Sequence, residues 1–393
     1  MNVARPRVLI VDSRAVIGVE VCRILAAHGC ETHVFAERTS PALFSRFCHR
    51  RLLSPSFYDT KAYCDALAEV VEATTYDAIH VCHEPIFDSI LPMMGCRGWK
   101  ALLIPPVEGL KIALSKSASL ALATRTGVAT PRTAIPEREA ELKGLVREFG
   151  FPVVIKGDKG ESGEKVRIAR RANEVIEGYR EILAGQNGHD APPSVQEFIR
   201  GPAYSVGGLF INGRPLRVVA HRKLLRYPYP FGGMTVKGVT EDCAELKAEA
   251  FKIFEALEYT GLGHVEFIRD ERDGRFKFLE INPRLWGTIG VAEWAGVDLF
   301  TPYRQLVKGM PVEPDLRYKD RVVFHRIRRE VRLIRQRPLR LIGFVKDSLD
   351  PRVRSDFVWS DPRPHLPSRY QLRKLLWSRT WPLAPTLSLE KRS

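Results

Sequence analysis

The run Phe276-Lys277-Phe278-Leu279-Glu280-Ile281-Asn282-Pro283-Arg284 constrains this chain more than any other stretch. Its aromatic and β-branched residues favour a strand, and Pro283 ends the pairing. Side chains alternate faces along a strand, so Phe278, Glu280 and Asn282 are expected on one face and Leu279 and Ile281 on the other. A carboxylate and an amide oxygen spaced two residues apart form half of a Mg²⁺ site, because Mg²⁺ takes hard oxygen ligands and needs only one or two carboxylates besides phosphates. The neighbouring run His264-Val265-Glu266-Phe267-Ile268 puts His264, Glu266 and Ile268 on one face. The turn Asp273-Gly274 joins the two runs and brings Glu266 beside Glu280. Two carboxylates that close repel unless a cation sits between them. Glu266, Glu280 and Asn282 are therefore the expected metal ligands. Pro283 frees Arg284 to reach toward phosphate.

The rest of the chain reads as alternating strands and helices. Arg7–Val11 is a short apolar strand, Val16 to Ala27 has helical spacing, and Thr32–Phe35 is the next strand. With Asp77–Cys82 as a later strand, the first hundred residues form an open α/β domain. The dinucleotide fingerprint is missing, since only Gly18 stands where three glycines are needed. Leu103-Ile104-Pro105-Pro106 marks a boundary, and a helix is expected from about Leu110 to Arg125. Glu137 to Phe149 is another helix, with Gly150 beyond it as a C-cap. Pro152–Lys156 and Lys165–Ala169 are strands joined by a glycine-containing loop, and Asn173 to Ala184 is a helix. Ser194–Ile199, Ser205–Ile211 and Leu216–His221 are strands, the last two joined by the turn Asn212-Gly213. Glu245 to Leu257 is a helix.

Composition excludes several classes. The chain has 393 residues, 45% hydrophobic and 27% charged, as in ordinary globular proteins of two or three domains. No run is long enough to cross a membrane, and Asp12 interrupts the N-terminal apolar run too early for a secretion signal, so a cytoplasmic protein is expected. Seven cysteines with no CxxC pair argue against a disulfide framework or a zinc knuckle. His80, Cys82 and His83 are read as core residues at a strand end. The net charge of +15 is uneven: residues 311–393 hold 20 Lys and Arg against 9 Asp and Glu. The excess belongs to a tail.

With Glu266 followed by Leu279-Glu280-Ile281-Asn282-Pro283-Arg284, the chain resembles the metal-binding end of the ATP-grasp superfamily, which includes D-alanine–D-alanine ligase, biotin carboxylase and the large chain of carbamoyl-phosphate synthetase. The resemblance covers about residues 105–300. It implies that Lys116 and Lys156 contact ATP phosphates, and that the loop Gly157–Glu164, with Gly160 and Gly163, folds over them. Glu161 and Glu164 depart from the small residues usual there. The segment Val195-Gln196-Glu197-Phe198-Ile199 is similar to the family's hinge, with Gln196 on the adenine amino group and the backbone of Glu197 and Ile199 completing the contacts. Ala203 stands where relatives often carry an acid for the ribose. Arg222, Lys223, Gly232, Gly233 and Trp286-Gly287-Thr288 are similar to a bacterial subgroup of carboxylate–amine ligase-like proteins, with the first four as substrate contacts.

The fold implied is α/β and α+β. An N-terminal open α/β (pre-ATP-grasp) domain, 1–108, precedes a two-subdomain ATP-grasp fold, 109–194 and 195–310, and a basic C-terminal extension, 311–393. The function implied is ATP- and Mg²⁺- (or Mn²⁺-) dependent ligation: a carboxylate is activated as an acyl phosphate for attack by an amine, with Arg284 and Lys156 as the catalytic cations and ADP and phosphate released. The partners are small-molecule carboxylates and amines. Two other readings are a catalytically weak ATP-binding sensor and a basic nucleic-acid-binding protein; the near-neutral body and the absence of a nucleic-acid module oppose the second. In the tail, the arginines spread over 321–341 among Val, Phe, Ile and Leu read as one basic amphipathic helix that packs its apolar side and leaves its arginines wet. The alternative is peripheral contact with acidic lipid. Trp359, Trp377 and Trp381 mark an extended end.

Overall fold

The computed structural model describes residues 4–11, 17–91, 97–160, 165–186 and 191–365. The N-terminal part is a parallel sheet with helices packed on it. Its elements are β1 (Arg7–Val11), α1 (Ile17–Ala27), β2 (Glu31–Ala36), β3 (Arg50–Leu53), α2 (Thr60–Ala73), β4 (Ala78–Val81) and α3 (Pro85–Ile90), in strand order β3-β2-β1-β4. Val8 to Val11 are fully buried, as a strand covered on both faces requires.

Two helices follow, α4 (Val107–Leu114) and α5 (Lys116–Arg125). The single helix expected over Leu110–Arg125 is thus broken at Ser115. This residue is extended, and its hydroxyl accepts from the Ala118 N–H, so it caps a new helix. The break puts Lys116 in the first helical turn rather than mid-helix. A second, antiparallel sheet comprises β5 (Thr133–Ala134), β6 (Val153–Lys156), β7 (Val166–Ala169) and β8 (Ser194–Glu197) in the order β5-β8-β6-β7, with α6 (Leu142–Phe149) and α7 (Ala172–Ala184) beside it.

The third sheet has seven strands. It is built from β9 (Ala203–Ile211), β10 (Arg214–Tyr227), β11 (Met234–Thr240), then past α8 (Ala244–Ala256), β12 (Gly261–Arg269) and β13 (Phe276–Asn282). After α9 (Gly290–Trp294) and α10 (Phe300–Val307) come β14 (Val323–His325), α11 (Ile327–Gln336), α12 (Arg340–Leu349) and β15 (Arg354–Ser355). The order is β13-β12-β9-β10-β11-β14-β15. Asn212 and Gly213 both have positive φ, the geometry of a tight two-residue hairpin turn.

Several expectations change. The strand β11 had no sequence signal, because Met234-Thr235-Val236-Lys237-Gly238 neither alternates cleanly nor lacks glycine. The helix expected over 321–341 is instead β14 followed by α11, which ends before Pro338. The arginines are not all wet either: Arg326 is buried between Glu20 and Asp356, and Arg329 donates to the Thr235 carbonyl. The boundary expected at 108/109 falls inside α4 and that at 194/195 inside β8. One core joins Val8 and Ile10 to Trp286, Leu299 and Phe324, so the N-terminal sheet and the large sheet share packing. Trp377, Trp381 and Gly163 lie outside the described residues. His80 is buried with its ring against Phe300 and Tyr303, and burial pushes its pKa down to about 3. It is a neutral core residue at neutral pH.

Candidate active site

The second and third sheets face each other across a cavity of about 370 Å³. That is a usual size for a small-ligand site. On the floor, β12 and β13 pair antiparallel, with Glu266 directly opposite Glu280. Both carboxylates line the cavity. Register slips by one residue between Glu266 and Phe267, so that Phe267 pairs with Phe278 and Leu279 is extra. This bulge corrects the expected alternation. Phe278 and Ile281 join the core, whereas Leu279 and Glu280 both line the cavity.

Lysines compensate the two acids. The Lys223 Nζ lies 2.6 Å from Glu266 Oε2 and donates also to the Gly233 carbonyl at 2.7 Å. From the opposite sheet, Lys156 enters at the end of β6. Burial pulls its pKa down to about 8, while Glu280 and Glu266 oppose the drop and Lys116 deepens it. The Lys116 Nζ donates to the Gly160 carbonyl at 2.7 Å. Lys116 is placed by Asp158, whose carboxylate accepts from the hydroxyls of Ser115 and Ser117 and the Ser117 N–H. The lining further includes Lys165, Arg167, Arg170 and Arg226. Among the described residues seven Lys and Arg and three carboxylates thus line the cavity; Glu197, the third, is turned to Arg132 and Arg272 at 3.2 and 3.1 Å, and Arg167 is paired with Glu181 at 2.5 Å. The cavity suits a polyanion.

Other expected residues are placed as follows. Gln196 and Ile199 line the cavity, and the Gln196 amide donates to Thr133 Oγ1 at 2.8 Å. Glu197 lines it too, but its N–H is bonded to the Arg132 carbonyl, so neither that group nor its side chain is open to a ligand. Gly160, Gly232 and Gly233 line the cavity. A Cβ on Gly232 would meet Tyr227 backbone at 2.1 Å, which fixes glycine there. Arg222 points the other way, as a strand neighbour of Lys223 must, and pairs with Glu241 at 3.1 Å. It does not line the cavity. Asn282 and Arg284 also stand back from it. The Asn282 oxygen accepts from Arg284 at 3.0 Å, and Arg284 is held by Glu84 at 3.3 Å. His264 stacks on Trp286 and contacts the Asn282 amide at 3.3 Å. Burial, then Lys223 and Arg284, hold its pKa well below the usual value, so His264 is neutral.

Sequence reasoning missed Arg226, Asp158 and the β7 bases. Asp158 carried no signal: an acid in a loop of glycines and charged residues reads as solvated, yet the fold buries it. The loop Tyr227–Gly233 was read only through its glycines. It also brings Phe231 edge-on to Phe198 and carries Tyr229 beneath Arg337 at 3.9 Å, so it roofs the cavity.

Comparison with known proteins bears on the domain and its fold. The family model described as an ATP-grasp domain matches residues 116–288. The chain is 27% identical over 312 residues to a formate-dependent phosphoribosylglycinamide formyltransferase of Ignicoccus hospitalis, covering 76% of this chain and 75% of that one. It is 24% identical over 323 residues to biotin carboxylase 1 of Bacillus subtilis, covering 77% and 70%. In fold it is similar to a crystal structure of biotin carboxylase from Campylobacter jejuni, with a TM-score of 0.67 and 19% identity over 81% of this chain and 74% of that one. Among the described residues no helix is long and apolar enough to cross a membrane. Residues 116–288 thus carry an ATP-grasp domain.

Proposed function

We propose that this protein is an ATP- and Mg²⁺-dependent ligase that activates a substrate carboxylate as an acyl phosphate and transfers the acyl group to an amine or related nucleophile. The observation that carries this reading is the pair Glu266 and Glu280, opposite each other across two strands and facing a cavity with an excess of cations. The donor set fits Mg²⁺ or Mn²⁺, since it is all oxygen. Among the described residues no three His, Cys, Asp or Glu side chains gather to cage an ion. Two carboxylates would therefore share the ion with phosphate oxygens, the usual arrangement for Mg²⁺. When bound, the ion supplies charge neutralisation to the transferring phosphoryl group.

The remaining work falls to the chain's own residues. Lys116 and Lys156 offset phosphate charge, and the low pKa of Lys156 in the free protein rises once an anion enters. Gln196 and Ile199 form the adenine end. Arg284 fixes the Asn282 oxygen, and Asn282 becomes a ligand only if that bond is released. A carboxylate oxygen of the substrate attacks the γ-phosphorus, the bond to the β–γ bridging oxygen breaks, and ADP leaves. The nucleophile then attacks the acyl carbon, phosphate leaves with the bonding electron pair, and the amine proton passes to solvent. Positioning and electrostatics suffice, and no protein nucleophile is needed.

The test is a screen of amino acids and small carboxylates, with amines, for ADP and phosphate release from ATP. Release that depends on both substrates supports the proposal. AMP as the product would overturn it, and ATP binding without turnover by any pair would indicate the sensor reading.

A further inference from the structure

The helix α12 is inside out. Its inward arc holds Arg340, Phe344 and Asp347: Arg340 pairs with Glu330 at 3.0 Å, Asp347 with Lys237 at 2.7 Å, and Phe344 lies against His325. At 3.6 residues per turn, Leu341, Ile342, Val345, Lys346 and Leu349 fall on the opposite arc. Ile342 and Leu349 are 74% and 78% exposed, and Leu339 just before the helix is 86% exposed. A surface helix normally buries its apolar stripe and leaves its charges in water. Here the ion pairs are within and the aliphatic stripe is outside, which marks a contact surface.

The charges around the stripe select the partner. Between 331 and 360 the exposed charged residues are Arg332, Arg335, Arg337, Lys346, Arg352 and Arg354, and none is acidic. The three carboxylates in that span are each paired with a base: Asp347 with Lys237, Asp350 with Arg352 and Asp356 with Arg326. A second copy of this face would meet like charge. So would the chain's own residues 366–393, which carry six Lys and Arg against Glu390 alone. Nucleic acid would match the charge but not the aliphatic stripe, since phosphate offers nothing to Leu and Ile. We propose that α12 and its flanking arginines dock on an anionic phospholipid surface, the aliphatic side chains entering the acyl boundary while the bases meet the headgroups.

The test is flotation of the full chain with vesicles of phosphatidylcholine, with and without phosphatidylglycerol. Binding should be stronger to the anionic vesicles by about ten-fold or more, and it should weaken with salt. Ile342→Glu with Leu349→Glu should lower it by about ten-fold or more, as should Arg335→Glu with Lys346→Glu. All four side chains are on or near the surface, and an unchanged thermal midpoint confirms that the variants fold. Equal binding to both vesicles overturns the proposal, as does undiminished binding of the Ile342→Glu/Leu349→Glu protein. Retention of duplex DNA or RNA, lost on charge reversal and untouched by the aliphatic changes, would assign the face to nucleic acid instead.

Discussion

Two clusters of charge, one buried and one lining the cavity, are built on opposite principles. In the first, Arg326 lies between Glu20 at 2.6 Å and Asp356 at 3.2 Å, with all three side chains under 5% exposed. Burial pulls the Arg326 pKa down, but Glu20 and Asp356 outweigh it, and the net shift is upward. In the second, Lys156 lies near Glu280, Glu266 and Lys116. There burial outweighs the acids. The first cluster is closed: it joins α1 to the start of α11 and has no room for a guest, since a Cβ on Gly290 would already meet the Glu20 carboxylate at 1.9 Å. The second is compensated only in part, with Lys223 on Glu266, and opens on a cavity. Charges that satisfy one another hold a structure together, whereas charges left wanting a partner mark where a ligand goes.

Substitutions should separate the two clusters. Arg326→Leu leaves two buried carboxylates unpaired and should cost about 3–5 kcal/mol of stability in denaturant titrations, while the folded fraction keeps its nucleotide affinity. Lys156→Met should do the reverse. We expect a loss of about 10²–10³ in turnover, once a substrate pair is known, with stability unchanged or raised because a desolvated ammonium is gone.

The pH dependence of the free protein sharpens this. The Lys156 pKa falls from 10.5 to about 8 on folding, so between those values the unfolded chain binds the extra proton. Stability should therefore rise with pH across that window, by at most about 1.4 kcal/mol per unit, and the Lys156→Met protein should lack that component. Nucleotide affinity should move the other way, weakening above pH 8 as the ammonium is lost. The smallest expected effect lies where extension and cavity meet. Arg337→Ala removes the guanidinium from the Tyr229 ring on the roof loop and should cost about 0.5–1 kcal/mol of nucleotide or substrate binding, seen as a few-fold rise in Kd or KM.

Much of the floor was legible because strand alternation has a period of two. Glu266 and Glu280 could be placed side by side from spacing and one Asp-Gly turn. What failed was any feature set by one residue out of phase. The bulge at Leu279 moves Phe278 to the core, and nothing in Phe-Lys-Phe-Leu-Glu announces it. Ser115 breaks a helix that the apolar pattern carries straight through, because a cap competes with propagation only when tertiary partners such as Asp158 are at hand. The tail misled for another reason. Arginines usually signal solvent, and Arg326 is buried only because Glu20, some three hundred residues earlier, meets it. The helical pattern over 321–341 gave no hint that Val323–His325 would extend the large sheet as β14.

The measurement that bears most directly on the account is the Mg²⁺ dependence of ATP binding, followed by calorimetry for the native chain and for Glu280→Gln. Native protein should bind ATP more tightly with Mg²⁺ than with a chelator by about ten-fold or more, and the variant should lose most of that difference while folding normally. If Glu280→Gln keeps the full Mg²⁺ enhancement, the two facing carboxylates do not hold the ion and the assignment of this cavity fails.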